Sequence, residues 1–154
     1  EGKSSEVEKK DLRCNELCRS VLESMKGKGK PLVELRYSTN VDDDFTIHSN
    51  AYRLRSSLCH LIDNAQKFTD MGYIDLRFEH KGSQASFSVT DTGVGIEEKD
   101  RDRIFDTFYK HNDFKEGIGL GLSICRRLIT SLGGTVELDP IYHNGSRFVI
   151  TLPV

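Results

Sequence analysis

The sequence predicts an α+β fold, a two-layer sandwich in which a mixed β-sheet carries three longer helices on one face. Three observations support this prediction. Hydrophobic residues recur at helical spacing in three segments, several short segments alternate between apolar and polar residues, and most of these short segments come in pairs. Paired strands interrupted by helices indicate hairpins within a mixed sheet.

Length and composition describe one ordinary globular domain. The chain has 154 residues, of which 36% are hydrophobic and 30% are charged, and its net charge is −2. A chain of this length can bury a core without disulfides or metal, and the slightly acidic balance argues against a nucleic-acid binder. No apolar run approaches the roughly 20 residues that cross a bilayer, so we expect no membrane contact. We assign residues 1–10 to a linker remnant and residues 11–154 to the domain.

The cysteines give no sign of a metal site or a disulfide framework. The four of them, Cys14, Cys18, Cys59 and Cys125, lack metal-ligand spacing, and no histidine pair accompanies them. Reduced thiols in a cytoplasmic domain are therefore the preferred interpretation.

The first part of the chain is predicted to contain two helices and two strands. The first helix is defined by apolar residues at helical spacing, namely Leu12, Leu17, Val21, Leu22 and Met25. The glycine- and lysine-rich segment 26–31 ends it. Strands are predicted at Leu32–Tyr37 and Phe45–His48, on either side of an acidic loop. Ser49 or Asn50 can then cap a second helix that runs to about Phe68.

The middle of the chain is predicted to form a β-hairpin. The segments Tyr73–Glu79 and Ala85–Thr90 alternate as strands do, and Lys81-Gly82 between them suits a tight turn. A glycine-bearing loop follows. A short helix is expected at about Glu97–Phe105.

The last part of the chain is predicted to contain a third helix and two closing strands. Its inward residues are expected to be Ile124, Leu128, Ile129 and Leu132. Gly133-Gly134 ends this helix. Strands follow at Thr135–Leu138 and Arg147–Leu152, and Asn144-Gly145 between them is a strong hairpin signal.

The second helix carries polar residues beside its apolar stripe, which consists of Leu54, Leu58, Leu61, Ala65 and Phe68. His60, Asn64 and Lys67 cluster to one side of this stripe. Asparagine is a mediocre helix former, so Asn64 there indicates a local hydrogen bond or a function. Its amide oxygen suits Mg²⁺, and Lys67 could place an ammonium near the phosphates that accompany the metal. Alternatively, Asn64 and Lys67 are solvated surface residues.

The first glycine cluster follows a strand that ends in an acidic residue. Alternation places Asp91 on the same face as Ala85, Phe87 and Val89. A carboxylate on the apolar side needs hydrogen-bond donors, and the exocyclic amine of adenine is one. Glycine residues next to it let the backbone pass close to a flat ring. The alternative is an ordinary turn at the end of a strand.

The second glycine cluster, residues 117–122, opens the third helix. Unpaired backbone N–H groups at the start of a helix can donate to phosphate oxygens, and the positive end of the helix dipole attracts their charge. Leu122 stands where a GxGxxG motif has its third glycine, and no Gly-Lys-Ser/Thr follows as in a Walker A loop. The spacing therefore excludes both dinucleotide-binding and P-loop interpretations.

Four motifs in this order resemble those of the catalytic ATP-binding domain of sensor histidine kinases, in the GHKL superfamily of gyrase, Hsp90, histidine kinases and MutL. Residues 58–69 resemble the N box, 91–96 the G1 box, 104–110 the F box and 117–122 the G2 box. The resemblance covers about residues 11–154. It implies the Bergerat-type ATP-binding fold, with ATP and Mg²⁺ as ligands.

The resemblance implies a role for each site residue. Asn64 would chelate Mg²⁺, Asp91 would accept from the adenine amine, and Lys67 and Lys110 would contact phosphates. The other nucleotide-binding positions implied by the glycine boxes are Gly93, Gly95, Ile96, Gly117, Gly119, Leu120, Gly121 and Leu122. The G2 glycines would form the hinge of a lid.

His60 departs from the family pattern. Histidine kinases usually have asparagine at this position, and the ATPase relatives have a glutamate that acts as a general base. A neutral imidazole can still hydrogen-bond or reach a metal-bound water, so His60 joins Asn64 and Lys67 as a candidate catalytic residue. A histidine that only hydrogen-bonds to its surroundings is the alternative.

The resemblance also implies a role for two phenylalanines. Phe105 and Phe108 would pack the lid against the domain, in addition to any role in the core.

The implied reaction moves the γ-phosphoryl group of ATP to a histidine nitrogen. The family's phosphorylated histidine has an acidic neighbour and a downstream Thr-Pro. None of the five histidines of this chain has this pattern; they are His48, His60, His80, His111 and His143. We therefore expect a monomeric catalytic fragment whose partner is a dimerisation and histidine-phosphotransfer domain of the same kinase. A response regulator would be an indirect partner, and the parent would be a membrane-anchored sensor.

Two alternatives to a histidine kinase remain open. A GHKL-type ATPase is disfavoured by the missing glutamate and by the short segment between Phe108 and Gly117. A non-catalytic nucleotide-binding module, which regulates a partner by occupancy, stays possible because of His60.

Overall fold

A computed structural model describes residues 7–106 and 118–154 of the chain. Within these ranges the helices are Cys14–Met25 (α1), Ala51–Phe68 (α2) and Ile118–Thr130 (α3). The strands are Lys10–Arg13 (β1), Val33–Thr39 (β2), Thr46–Ser49 (β3), Gly72–Lys81 (β4), Gln84–Asp91 (β5), Thr135–Leu138 (β6) and Ser146–Pro153 (β7). None of the helices described combines the length and hydrophobicity of a membrane span.

The main sheet has five strands in the order β2-β4-β5-β7-β6. β2 pairs with β4 in parallel, whereas the other pairs are antiparallel. The mixed sheet predicted from sequence is therefore confirmed. So is the β4–β5 hairpin, in which Lys81 pairs with Gln84 and Gly82 takes a positive φ of 56°.

A second, two-stranded sheet was not predicted. β1 pairs antiparallel with β3, with Leu12 opposite Ile47. Helical spacing predicts Leu12 in the first helix, but α1 begins at Cys14, whose N–H donates to Phe45 O at 3.3 Å. The prediction was wrong at this end because the partner strand lies far away in the sequence.

The core lies between the main sheet and one helical layer. All of the predicted α2 stripe faces it: Leu54, Leu58 and Leu61 are fully buried, Ala65 nearly so, and Phe68 is half-buried. The predicted cap is also present, since Asn50 Oδ1 accepts from Arg53 N at 2.9 Å. α2 thereby packs across the sheet through its apolar face.

α3 uses a slightly different face from the one predicted. Ile129 and Leu132 are buried as expected, but Ile124 and Leu128 are only half-buried. Cys125 is fully buried instead, and its thiol contacts Ser57 O of α2 at 3.7 Å. A small cysteine suits the close approach of two helices, which the pattern of large apolar residues does not reveal.

Two shorter elements also differ from their predictions. Instead of a helix over residues 97–105, a 3-10 helix covers Glu98–Asp100 and turns continue to Asp106. Asn144-Gly145 lies in a longer loop between Leu138 and Ser146, so the β6–β7 hairpin lacks the two-residue turn that this dipeptide suggests.

The four cysteines are free thiols. Burial raises the pKa of Cys14, Cys18 and Cys125 to about 12. These three thiols therefore stay protonated and unreactive near neutral pH.

Candidate functional site

Asn64 and Asp91 line the same cavity. Among the described residues, the lining consists of Asn64, Ala65, Phe68, Asp91, Gly95, Ile96, Ser146 and Phe148. α2 forms one wall, the loop after β5 forms another, and the start of β7 closes the third side. The free space is about 10 Å³, which is room for about one water molecule, so a purine enters only if side chains move apart.

Asp91 ends β5 on its inward face. Like Ala85, Phe87 and Val89 before it, its side chain is buried, with 4% exposed. Its Oδ1 accepts from Gly93 N at 2.9 Å and from Ser146 N at 3.2 Å. Burial raises the pKa of Asp91 above its ordinary value, although these two N–H groups act in the opposite direction. Oδ2 has no hydrogen bond within the described residues and is available to a donor on a ligand.

Asn64 lies on the wall formed by α2 and is 5% exposed. The solvated-surface interpretation is therefore wrong for this residue. Its Nδ2 is buried and has no hydrogen-bond partner among the residues that the structure describes. Such a group costs about 1–3 kcal/mol unless a ligand satisfies it. A side-chain amide can turn about its last bond, so either its oxygen or its nitrogen can face that ligand.

The amide of Asn64 fits a magnesium ion that arrives with phosphates. In the part of the chain described, no three His, Cys, Asp or Glu side chains converge as a metal site. Mg²⁺ in nucleotide sites usually keeps several waters and takes one or two protein oxygens plus phosphate oxygens. One neutral oxygen from α2 suits this mode of binding.

His60 and Lys67 flank Asn64 on α2 but do not line the cavity. His60 Nδ1 donates to Ser56 O at 2.7 Å, which places the proton on Nδ1 and leaves Nε2 as the acceptor of the neutral ring. Lys67 is half-buried, and its Nζ lies 3.4 Å from Asp63 Oδ2. Both side chains are thus held by partners on their own helix.

Glycine is required where the loop after β5 crosses the end of α2. A Cβ on Gly93 would lie 2.1 Å from Phe68 O, and Val94 N–H donates to the same oxygen at 3.2 Å. Glycine is needed at position 145 for a similar reason. A Cβ added to Gly145 would lie 2.0 Å from Asp91 O, and the φ of Gly145 is 147°. In the arrangement described, these contacts place the loop between α2 and β7.

The described part of the second glycine cluster, from Ile118, forms the start of α3, as expected. Gly119, Leu120 and Gly121 lie in its first turns, and Leu122 is fully buried in the core. Lys110, Gly117 and Phe108 lie outside the residues that the structure describes.

Phe105 packs beside the candidate site. Its ring meets Phe148 edge-on at 6.0 Å, and the guanidinium of Arg126 lies 4.2 Å above it. Phe105 therefore packs against a residue that lines the cavity.

Sequence reasoning missed the residues that β7 contributes. Ser146 and Phe148 line the cavity because Ser146 pairs with Asp91 and Phe148 with Val89 across β5 and β7. The available signal was the alternation of β7, which would point Ser146 and Phe148 to the same face. Only the register of the two strands shows that this face lies beside Asp91.

Comparison with known proteins identifies the family. The model of the histidine kinase-, DNA gyrase B- and HSP90-like ATPases matches residues 49–154. The chain belongs to this family. The adaptive-response sensory kinase SasA of Nostoc sp. is 35% identical over 143 residues, which cover 90% of this chain and 35% of SasA. The sensor protein TorS of Escherichia coli is 34% identical over 157 residues, which cover 99% of this chain and 17% of TorS. The chain therefore spans about a third or less of these relatives.

Solved structures show the same fold. The catalytic domain of histidine kinase ThkA has a TM-score of 0.81 and 27% identity, with 96% of each chain covered. Full-length ShkA in complex with AMPPNP has a TM-score of 0.80 and 31% identity, covering 96% of this chain and 31% of ShkA. The predicted α+β fold, the resemblance to histidine kinases and a nucleotide-binding function for the domain are confirmed.

Proposed function

We propose that this chain binds ATP with Mg²⁺ and transfers its γ-phosphoryl group to a histidine on a separate domain of the same kinase. The observation that carries the proposal is the shared cavity of Asp91 and Asn64, each buried and each with a polar atom that lacks a protein partner among the described residues. Oδ2 of Asp91 suits a purine amine, and the side-chain amide of Asn64 suits the metal of the triphosphate once it turns its oxygen toward the ligand. Membership in the kinase-related family supports both assignments.

Asp91 recognises the purine in this proposal. Two backbone N–H groups hold its Oδ1, so the carboxylate is oriented before the ligand arrives and Oδ2 can accept from an exocyclic amine. The apolar side chains of Phe68, Ile96 and Phe148 line the same space and suit the faces of a flat ring. Preorganisation of this kind reduces the cost of binding.

The phosphate end of the proposed site lies along α2. Asn64 would hold Mg²⁺, which when bound neutralises charge on the transferring phosphoryl group. Lys67 is close enough along the helix to exchange Asp63 for a phosphate oxygen. His60 presents Nε2 as an acceptor, which suits a hydrogen bond to a water or to a ligand hydroxyl. The glycine cluster from Gly117 to Leu122, together with Lys110, would complete the proposed phosphate contacts.

The partner follows from the missing phosphoacceptor. ThkA is known in complex with the response regulator TrrA. We propose that the present chain acts on a dimerisation and histidine-phosphotransfer domain, and that a response regulator receives the phosphoryl group from that domain. The linker predicted at residues 1–10 would end where β1 begins, the catalytic domain would extend to residue 154, and the cytoplasm would be its location. The fragment itself would be monomeric.

Phosphotransfer in trans tests this function. The chain is incubated with labelled ATP, Mg²⁺ and the separately expressed phosphoacceptor domain of the parent protein. We expect acid-labile label on the acceptor domain and none on this chain. Release of inorganic phosphate without an acceptor would instead indicate an ATPase. Tight ATP binding with neither product would indicate a regulatory module.

A further inference from the structure

Thr69 is a buried polar residue that the proposed reaction does not use. It follows α2 directly and is completely buried, and its Oγ1 has no hydrogen-bond partner among the described residues. Buried hydroxyl groups in proteins are nearly always hydrogen-bonded, because an unpaired one lowers the stability of the fold. This exception therefore requires an explanation.

Thr69 lies directly against the loop that follows Asp91. A Cβ on Gly93 would be 2.8 Å from Thr69 Oγ1, so the loop backbone crosses the end of α2 at contact distance. The N–H of Gly93 donates to Asp91 Oδ1 at 2.9 Å. The N–H of the next residue, Val94, donates to Phe68 O at 3.2 Å. Gly93 is thus in contact with Thr69 on one side and with the purine-recognising carboxylate on the other.

Two of the walls that line the narrow cavity are neighbours of Thr69. The cavity has about 10 Å³ of free space, and Phe68, Asp91 and Gly95 are part of its lining. Phe68 precedes Thr69 in the chain, whereas Asp91 and Gly95 lie on either side of Gly93. Displacement of either wall changes what surrounds the Thr69 hydroxyl.

We propose that Thr69 is a positioning residue for purine binding, whose hydroxyl gains a hydrogen bond when the loop from Asp91 to Gly95 takes its nucleotide-bound position. The inference rests on the proposed function, since it assumes that a purine occupies the cavity. A group that is satisfied only in the bound arrangement shifts the equilibrium toward that arrangement. Thr69 would therefore increase the affinity for nucleotide, while its unpaired hydroxyl lowers the stability of the nucleotide-free domain.

Thr69→Val tests the inference because valine keeps the shape and removes the hydroxyl. We expect the melting temperature of the free domain to stay the same or rise. Calorimetry should show affinity for ATP and for ADP reduced about 3- to 10-fold, the scale of one hydrogen bond. The Mg²⁺ dependence of binding should not change, because Thr69 acts at the purine end. In phosphotransfer the KM for ATP should rise while kcat stays constant, and Thr69→Ser should restore most of the affinity.

Thr90→Val is the matched control. Thr90 is also buried, but its Oγ1 accepts from Arg147 Nε at 2.9 Å. This control should lower the melting temperature and leave ATP affinity unchanged. If Thr69→Val behaves like Thr90→Val, the hydroxyl is structural and the inference is overturned while the proposed function stands. If the wild-type domain binds neither ATP nor ADP, the proposed function fails and the inference fails with it.

Discussion

Asp91→Asn should separate recognition of the purine from stability of the free domain. The asparagine can keep an oxygen at the Oδ1 position, where Gly93 and Ser146 donate. At the Oδ2 position it places an NH₂ group, which would face the amine of adenine donor to donor. The lost charge-assisted hydrogen bond is worth about 1.5–3 kcal/mol, so we expect the Kd for ATP to rise roughly 10- to 150-fold.

The same substitution should not destabilise the domain at neutral pH. The pKa of Asp91 is raised in the folded state, mainly by burial, from its ordinary value of 3.8. At pH values between the unfolded-state and the folded-state pKa of Asp91, the folded state binds more protons than the unfolded state. The free energy of unfolding therefore falls as pH rises through this window. The charged carboxylate therefore lowers stability at neutral pH. Asp91→Asn should remove this pH dependence and leave the melting temperature at pH 7 equal to or above that of the wild type.

Calorimetric titration and thermal unfolding at several pH values provide the two measurements. Asp75→Asn is a suitable control, because Asp75 lies on the neighbouring strand β4 and its Oδ2 accepts from Ser38 instead of lining the cavity. A Kd for Asp91→Asn within twofold of the wild type would refute the adenine assignment. So would an equal loss of affinity in both variants, since that would show a general effect of charge.

Three further substitutions test the metal position, the loop and the lysine. Asn64→Ala should abolish the Mg²⁺ dependence of ATP binding, and an unaltered Mg²⁺ titration would contradict the phosphate-side assignment. Gly145→Ala should destabilise the domain by about 1–3 kcal/mol in urea denaturation, because the alanine Cβ would lie 2.0 Å from Asp91 O. Unchanged stability would show that the loop can shift. Asp63→Asn removes the negative charge beside Lys67, in a partly exposed pair that contributes little to stability. ATP affinity should rise about twofold, with a steeper salt dependence; unchanged affinity would mean that Lys67 does not reach the phosphates.

Local sequence was sufficient for the elements that carry the two central residues. The apolar stripe of α2 and its cap at Asn50 follow from helical periodicity and capping chemistry, both of which act within a few residues. The inward position of Asp91 follows from alternation along β5. The spacing of the glycine motifs then excluded other nucleotide-binding loops and pointed to the family. These inferences needed no knowledge of distant contacts.

Distant contacts decided the rest. The pairing of β1 with β3 moved Leu12 out of the first helix, and the close approach of α2 and α3 placed Cys125 in the core. The register of β5 against β7 brought Ser146 to Asp91. Hydrogen-bond satisfaction is likewise a property of the folded chain, so the unpaired groups of Asn64 and Thr69 appear only in three dimensions. Periodicity orients a side chain relative to its own element, whereas register and helix packing determine which other side chains it meets.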